Sequence, residues 1–433
     1  MHFTALLMLL APGLGPQSAQ RASLAAAPAS LGSRGSRGSD ASEVSEVGTK
    51  APTGVTGGMG VMGVMGPLTA AEVDQEDRFA SMPLGKEGYT TLGVGREEGG
   101  GGLPICRLIT GMWQVAGGHG FTSVPELALA GMAQHADAGF TSFDLADAYG
   151  PAEEYVGRLC RGPLSSPVSQ DCQFLTKWMP APGRVTRRNA GDAVGRSLRR
   201  MGAERIDLLQ LHWSEYEDLQ LYDAVDALMH LQQQGQVLNL GLTNFDTAHL
   251  VDLLEQGAPI VSNQVSFSVL DTRPLAHMAS ACAAHNVKLL CYGTLLGGFL
   301  SSLWLGQREP SVGDDASRYM TASLRKYLKW IQIWGGWALF QELLVVLNTI
   351  AQKHHVSLSN VAQRWVLEQA SVGGIVVGAR LGHREHVTDN SKVFTFRLDE
   401  EDRQAIQAVQ GRKRNDLMSV YGDCGGEYRP KTY

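Results

Sequence analysis

Four side chains that could together move a proton follow three consecutive apolar segments of the sequence. Asp144 and Tyr149 come at the end of one segment, Lys177 ends the next, and His212 ends the third. We expect Lys177 to stay cationic beside Asp144 and to lower the pKa of Tyr149, because a neighbouring ammonium favours a phenolate. Tyr149 could then act as a general acid towards a carbonyl oxygen, and His212 could orient that oxygen by a hydrogen bond.

Each of these residues also has a simpler structural interpretation. An Asp after a strand usually caps a turn or a helix, and a Tyr near a loop usually packs its ring against the core. As a group, the four residues need no metal and no nucleophilic Ser or Cys, which indicates hydride or proton chemistry. The six cysteines are scattered without a C-x-x-C pair, so we predict neither a disulfide framework nor a zinc site, and a reducing compartment.

Short apolar segments alternate with longer amphipathic ones from about residue 103 onward. The short segments are continuously apolar, which is typical of parallel strands that are buried on both faces. Eight strand–helix units over roughly 300 residues predict a (β/α)8 TIM barrel, with a doubly wound open sheet as the alternative. The predicted strands span residues 107–113, 141–146, 173–176, 206–212, 237–243, 260–267, 287–292 and 374–378. The predicted helices span residues 127–138, 153–160, 188–201, 221–234, 247–256, 274–285 and 343–369, with a further helix start at 357–360.

The first 103 residues differ from the remainder of the chain. The stretch up to Ser39 has no Asp or Glu and is rich in Ser, Ala and Arg, which resembles an organelle transit peptide. A Gly-Met-Val repeat at 57–66 and a glycine tract at 99–102 offer no periodic apolar face, so both are predicted linker. We therefore predict a targeting peptide and disordered linker over residues 1–103 and a barrel over 104–433. Chloroplast or plastid is the predicted location, with the cytoplasm as the alternative.

A tryptophan-rich insertion interrupts the barrel pattern at about residues 301–340. It contains Trp304, Trp330, Trp334 and Trp337 and follows the seventh predicted strand. Loops that follow the strands of a barrel build its active face, so the insertion is predicted to cover that face as a lid. An apolar lid favours an aromatic or aliphatic substrate over a polyanionic one.

The charge and hydropathy of the chain exclude several classes of partner. The chain has 37 Lys and Arg against 43 Asp and Glu, giving a net charge of −6, and no basic cluster interleaved with aromatics indicates nucleic-acid binding. No uncharged apolar run reaches the ~18 residues of a membrane span. A small-molecule substrate is therefore predicted, while the oligomeric state is left open.

An ordered series of motifs from residue 103 to about 411 resembles the aldo-keto reductase family. Asp144 and Tyr149-Gly150 match the acid-plus-tyrosine signature of that family, and Lys177 and His212 fall where the other two members of its catalytic tetrad belong. Further matching segments lie at 111–114, 235–245, 290–298 and 378–390. Residues 147–153 and 422–429 are most similar to a plant and algal branch that is associated with plastids.

The resemblance implies a single-domain barrel that binds NADPH without a Rossmann domain. Thr243, Asn244 and Gln264 would hold the nicotinamide carboxamide, and Tyr292 would stack on the nicotinamide ring. No G-x-G-x-x-G motif follows a predicted strand, in agreement with this implication.

The resemblance also implies contacts to the phosphates and the adenine of NADPH. Small residues let the backbone approach a pyrophosphate, and a guanidinium group can pair with the 2′-phosphate through two hydrogen bonds. The pyrophosphate positions are Gly293, the backbone of Leu295, and Gly298, the 2′-phosphate position is Arg380, and the adenine positions are His386 and Asn390.

Three functions are compatible with this sequence. The leading hypothesis is an NADPH-dependent oxidoreductase that reduces aldehydes or ketones to alcohols, with the proton supplied by Tyr149. The second is an NADPH-binding redox sensor or regulatory subunit with little turnover. The third is a barrel enzyme acting on phosphorylated sugars, because the glycines at 293–298 could also form an anion site.

Overall fold

The structure is a computed structural model that describes residues 82–93, 102–117, 119, 122–162, 171–181, 183–311, 320–383 and 386–429. Ten strands are present in these ranges. They are β1 (Tyr89–Leu92), β2 (Leu103–Cys106), β3 (Leu108–Gly111), β4 (Ser142–Asp144), β5 (Gln173–Trp178), β6 (Ile206–His212), β7 (Val237–Thr243), β8 (Ile260–Ser266), β9 (Lys288–Tyr292) and β10 (Val372–Gly378). The predicted targeting peptide and most of the predicted linker lie outside the described residues.

Strands β3 to β10 close into a barrel in which every neighbouring pair is parallel. All seven residues of β8 are buried, because the barrel interior covers one face of the strand and the surrounding helices cover the other. The predicted (β/α)8 TIM barrel is thus confirmed, and the open doubly wound sheet is wrong. A closed parallel barrel brings the carboxyl ends of all eight strands to one face.

Twelve α-helices occur in the described part of the chain, most of them on the outside of the barrel. They are α1 (Pro125–Asp137), α2 (Ala152–Arg161), α3 (Arg187–Met201), α4 (Gln220–Gln233), α5 (Thr247–Glu255), α6 (Met278–Ala284), α7 (Ala322–Trp334), α8 (Gly336–His354), α9 (Leu358–Leu367), α10 (Val387–Ser391), α11 (Glu400–Gln410) and α12 (Leu417–Tyr421). Local signals set several helix starts. Thr186 and Asn189 form a capping box at α3, and Asp246 caps α5.

A hairpin of β1 and β2 closes the amino-terminal end of the barrel. The two strands pair in antiparallel register from Tyr89 opposite Cys106 to Leu92 opposite Leu103. Leu92, Leu103 and Ile105 join the apolar cluster inside the barrel. The linker prediction is therefore wrong for β1, because this strand contributes apolar side chains that the barrel interior buries.

The helix predicted over residues 343–369 is two helices, α8 and α9, and the further helix start predicted at 357–360 is confirmed by α9. His355 ends α8 in the left-handed region at φ 56°, and the hydroxyl of Ser357 accepts a hydrogen bond from the backbone N–H of Asn360 to start α9. Helix α8 also begins at Gly336, inside the predicted insertion. The end of the insertion, predicted at about residue 340, and the barrel helix therefore form one continuous element.

No single helix among the described residues is long and apolar enough to cross a membrane. The pair α7 and α8, bent by 98° at its break, reaches that length and composition when the two helices are taken together. Trp330, Trp334 and Phe340 of this pair are buried in the core.

Candidate functional site

The four predicted catalytic side chains start from adjacent positions at the carboxyl ends of β4, β5 and β6. In the strand register Asp144 is opposite Leu175, and Lys177 is opposite Gln210. His212 is the last residue of β6. The closed barrel thus brings these strand ends side by side, as the sequence predicts.

Asp144 and Lys177 form a buried ion pair at the centre of this face. The Lys177 Nζ donates to Oδ1 and Oδ2 of Asp144 at 2.6 and 2.7 Å and to the carbonyl oxygen of Leu145 at 2.8 Å. Both residues are at most 5% exposed. Burial lowers the pKa of Lys177 from its ordinary value, while the charge of Asp144 opposes this shift. Because an ammonium has three hydrogens, all of its donors are used in these contacts.

Tyr149 lies over this ion pair and contacts it through the face of its ring. The Lys177 Nζ is 4.8 Å from the ring centroid. Burial, followed by the charges of Asp144, Tyr428 and Asp147, raises the pKa of Tyr149 well above 10. The predicted lowering of the Tyr149 pKa is therefore wrong for the protein without a bound ligand. The main reason is burial of the phenol, and since Asp144 and Leu145 occupy the ammonium, no hydrogen bond from Lys177 offsets it.

His212 is a neutral imidazole beside this group. Burial, followed by the charge of Lys177, lowers the pKa of His212 to about 4. The Nε2 of His212 is 3.5 Å from the Nδ2 of Asn244, and the His212 ring packs edge-on against the Tyr428 ring at 6.1 Å. A neutral imidazole can donate one hydrogen bond from an N–H to a carbonyl oxygen.

The four predicted nicotinamide residues surround the same face on β7, β8 and β9. Thr243 Oγ1 is buried without a hydrogen-bond partner among the described residues, so it can bind a polar group of a ligand. Tyr292 donates from its hydroxyl to Oδ1 of Asn244 at 2.8 Å. Gln264 donates from Nε2 to Oδ1 of Asp144 at 2.7 Å and to Oε1 of Gln210 at 3.1 Å. The unpartnered Thr243 hydroxyl fits a carboxamide, whereas Gln264 would have to exchange a partner to bind one.

The glycine loop after β9 is covered at one end and open at the other. A Cβ at Gly293 would lie 2.4 Å from the hydroxyl oxygen of Tyr327, whereas a Cβ at Gly298 would meet nothing within 4 Å. The backbone N–H of Gly298 donates to the carbonyl oxygen of Leu295 at 2.9 Å. The Gly298 end of the loop is therefore open on this side, and helix α7 occupies the space beside Gly293.

The predicted phosphate and adenine residues follow β10. Arg380 comes two residues after the end of β10, and its charge adds to burial in lowering the pKa of His119 to about 4. His386 is exposed directly before α10, and the backbone N–H of Asn390 donates to its carbonyl oxygen at 2.8 Å. Arg380 thus follows the carboxyl end of β10, whereas the adenine role of His386 and Asn390 stays a prediction.

Two residues that the sequence analysis did not assign to the site are Lys326 of α7 and Tyr428 of the carboxyl-terminal segment. The Lys326 Nζ donates to the hydroxyl oxygen of Tyr428 at 2.7 Å, and the hydroxyl oxygens of Tyr428 and Tyr292 lie 3.2 Å apart. The Nζ also lies 4.6–5.6 Å from the ring centroids of four aromatic residues, Tyr292, Tyr327, Trp330 and Tyr428. Helix α7 of the insertion therefore lies beside the active face, and its role as a lid stays a prediction.

The tryptophans of this lid pack against the protein instead of lining the site. Trp330 and Trp334 are at most 2% exposed, and Trp304 and Trp337 pack edge-on against each other beside Phe299. The polar side of α7, through Lys326, therefore faces the site. The preference for aromatic or aliphatic substrates was predicted from tryptophans facing the substrate, and these tryptophans do not line the site.

Residues 422–429 form a strap that is fastened beside the site by buried ion pairs. Arg273 is 1% exposed and donates to both oxygens of Glu427, from Nη1 at 2.7 Å and from Nη2 at 3.2 Å. The same guanidinium donates to Oδ1 and Oδ2 of Asp271 at 2.8 and 2.9 Å. Although burial by itself raises it, Lys326 and Arg273 lower the pKa of Glu427 to about 2. Nothing local in the sequence predicts this pairing.

The strap also docks directly on Asn244. Gly425 has φ 76°, and a Cβ on it would lie 1.9 Å from the carbonyl oxygen of Asn244, so only glycine fits here. Arg429 donates from Nη2 to that carbonyl oxygen at 3.2 Å and pairs through Nη1 with Asp246 at 3.2 Å.

These features define a (β/α)8 barrel with a buried acid–base group under a lid and a strap. Residues 107–410 match the Aldo/keto reductase family. This match covers well over half of the sequence, so the chain belongs to the aldo/keto reductase family, and its relatives support carbonyl reduction by an oxidoreductase.

Three individual proteins illustrate the similarity. The flagellar radial spoke protein 5 of Chlamydomonas reinhardtii is 31% identical over 182 residues, which are 38% of this chain and only 34% of that protein. The chloroplastic pyridoxal reductase of Arabidopsis thaliana is 25% identical over 298 residues, covering 65% of this chain and 76% of the relative. The solved structure of a glycerol dehydrogenase from Gluconobacter oxydans has a TM-score of 0.60 and 22% identity, covering 76% and 96% of the two chains, and this likeness concerns the fold alone.

Replacing Glu427 by Gln will destabilise the protein by about 3 kcal/mol, because the buried Arg273 keeps only Asp271 as its charged partner. Urea unfolding followed by circular dichroism measures this change in the free energy of unfolding. Glu401→Gln is the matched control, because the Glu401 side chain is 90% exposed and will contribute little. Equal stabilities of the two variants would contradict the structural role of the strap.

The imidazole of His212 will stay neutral well below pH 6.5 in the folded protein. Because its folded pKa of about 4 lies below the ordinary value, its contribution to stability is present above pH 6.5 and is lost as the pH falls towards 4. Proton NMR of the ring, assigned with His212→Gln, measures the midpoint, and His212→Gln will flatten the pH dependence of unfolding in this window. A midpoint at the ordinary value of 6.5 would refute the burial argument.

Proposed function

We propose that this protein is an NADPH-dependent oxidoreductase that reduces aldehyde or ketone carbonyls to alcohols. The observation that carries the proposal is the buried Asp144–Lys177 ion pair beneath the ring of Tyr149, with the neutral His212 beside it. Membership of the aldo/keto reductase family and the pyridoxal reductase among its relatives support the same chemistry.

Tyr149 is the proposed proton donor. Its pKa lies well above 10, so the phenol holds its proton at neutral pH and can release it only to a strongly basic atom. The oxygen of a carbonyl becomes such an atom as the carbonyl carbon is reduced, and NADPH, when bound, supplies the hydride for that reduction. The Lys177 Nζ, 4.8 Å from the ring centroid, then stabilises the phenolate that Tyr149 becomes.

His212 is the proposed orienting group for the carbonyl. As a neutral imidazole it can donate an N–H to the carbonyl oxygen without competing for the proton of Tyr149. Tyr428 of the strap packs edge-on against the His212 ring and covers the imidazole on that side. Asp144 keeps the ammonium of Lys177 fixed and is not itself a proton donor in this scheme.

The proposed NADPH residues are those implied by the family. Thr243 and Asn244 would hold the carboxamide, with Gln264 joining them on exchange of its bond to Asp144, and Tyr292 would stack on the ring. The open backbone at Leu295 and Gly298 would receive the pyrophosphate, and Gly293 would line the covered side. Arg380 would pair with the 2′-phosphate, and His386 and Asn390 would bind at the adenine.

A redox sensor or regulatory subunit is the second candidate. It is favoured by the strap, which holds the hydroxyl of Tyr428 against that of Tyr292 and so restricts access to the ring that would stack on nicotinamide. One relative is also named for a flagellar assembly and not for a reaction. Tight NADPH binding without turnover across a panel of aldehydes and ketones would favour this function.

The plant and algal branch and the chloroplast location both stay predictions. Placement in the plant and algal branch is supported by the chloroplastic relative. Localisation to the chloroplast rests on the same relative and on the composition of residues 1–81, which lie outside the described residues.

Tyr149→Phe will lower kcat by about 10²–10⁴-fold, because only the general acid is lost. The dissociation constant for NADPH, measured by quenching of tryptophan fluorescence, will be unchanged. Tyr222→Phe is the matched control, since it also removes a phenol hydroxyl, one that donates to Asp252 at 2.8 Å away from the site. A kcat for Tyr149→Phe equal to that of the control would exclude Tyr149 as the proton donor.

Arg380→Ala will weaken NADPH binding by about tenfold or more, because a charge-assisted contact to the 2′-phosphate is lost. NADH has no 2′-phosphate and therefore serves as the internal control, with an unchanged dissociation constant. Equal losses for the two cofactors would show that Arg380 acts on the fold of the site and does not bind the phosphate.

A further inference from the structure

A second candidate binding site lies at the amino-terminal end of the barrel, opposite the active face. A cavity of about 300 Å³ opens there between the hairpin segment, the start of β3, the end of α9 and the start of α11. We refer to it as the basic cavity. Eight residues line it: Lys86, Glu87, Arg107, Arg364, Leu367, Glu368, Arg397 and Arg403.

Positive charge is in excess in the basic cavity. Five cationic side chains and two carboxylates line it. Arg107 pairs with no carboxylate of the described residues. Instead its guanidinium donates to the backbone carbonyl oxygens of Leu367 at 2.7 Å and Gly373 at 3.3 Å. Burial and the like charge of Arg364 lower the pKa of Arg107.

The two carboxylates show where the cavity stabilises an anion. Glu87 accepts hydrogen bonds from Arg364 and Arg397, and Glu368 accepts them from Arg364 at 2.6 Å and Arg403 at 2.9 Å. Each carboxylate is thus shared between two guanidinium groups. Although burial alone raises it, Arg397, Arg364 and Arg107 lower the pKa of Glu87, as expected for an anion among surplus cations.

The side chains that would meet a ligand differ in mobility. Arg364 is only 2% exposed and is fixed by its ion pairs. The side chains of Arg397 and Arg403 are 71% and 46% exposed, so they can turn towards a bound anion. A guanidinium fork matches the oxygens of a phosphate through paired hydrogen bonds.

We propose that the basic cavity binds a phosphate group, as the free dianion or as part of a small phosphate ester. A volume of about 300 Å³ accommodates a small molecule of this kind. The net charge of −6 over the whole chain makes a polynucleotide a poor partner. A bound phosphate would link the hairpin segment, through Lys86, to α11, through Arg403.

Calorimetric titration of inorganic phosphate into the full chain at low salt tests this proposal. In one titration the protein is first saturated with NADPH, so that phosphate cannot bind in the cofactor site. In a second titration the variant Arg380→Ala is used, which lacks the proposed 2′-phosphate contact. We expect one phosphate per chain in both cases. This result is independent of whether the protein proves to be a reductase.

The variants Arg397→Ala and Arg403→Ala will each weaken phosphate binding by about tenfold, because each removes a charge-assisted contact. Arg187→Ala is the matched control, since the Arg187 side chain is 59% exposed and pairs with Asp226 elsewhere on the surface. Phosphate binding that is absent in the wild type, or unchanged in Arg397→Ala and Arg403→Ala, would overturn the proposal.

A parallel titration with glycerol phosphate distinguishes the two sources of phosphate. Tighter binding than that of inorganic phosphate assigns the cavity to a phosphate ester, and equal or weaker binding assigns it to the free dianion. As a second measurement, phosphate will slow the acetylation of the exposed Lys86, followed by mass spectrometry. Acetylation of Lys86 that phosphate does not slow would contradict binding in the basic cavity.

Discussion

The three hydrogen bonds of the Lys177 ammonium determine how the candidate site is built. Two go to Asp144 and one to the carbonyl oxygen of Leu145, which leaves no hydrogen for a fourth partner. Tyr149 can therefore meet this charge only through its ring face. A cation beneath the ring stabilises a phenolate once it forms, but it does not generate one in advance. The resting site thus keeps its proton on the phenol.

The barrel and the positions of the site residues follow from local properties of the sequence. Continuously apolar strands such as β8 indicate parallel pairing, and a closed parallel sheet places the residues that follow each strand on one face. Asp144, Lys177 and His212 could therefore be predicted to converge before any contact was known. The direction of the Tyr149 pKa shift could not, because it depends first on how deeply the phenol is buried and then on the charges that surround it.

Contacts between distant parts of the chain account for most of the features that could not be predicted from the sequence. Glu427 pairs with Arg273, 154 positions earlier, and the residues between them carry no periodic signal of that pairing. The hairpin strand β1 was missed for a similar reason, since its four residues, Tyr-Thr-Thr-Leu, form no apolar run and lie close to a glycine tract. In both cases burial on the barrel, and not local propensity, selects the conformation.

The mouth of the site is made from segments that lie far apart in the sequence. Lys326 and Tyr428 are 102 positions apart, and Arg429 reaches the carbonyl oxygen of Asn244 across 185 positions. The strap contributes no strand to the closed barrel, so it can detach while the sheet stays closed. The strand-end group would then be an open, hydrated surface. Enclosure of this group would therefore depend on residues 422–429 staying docked.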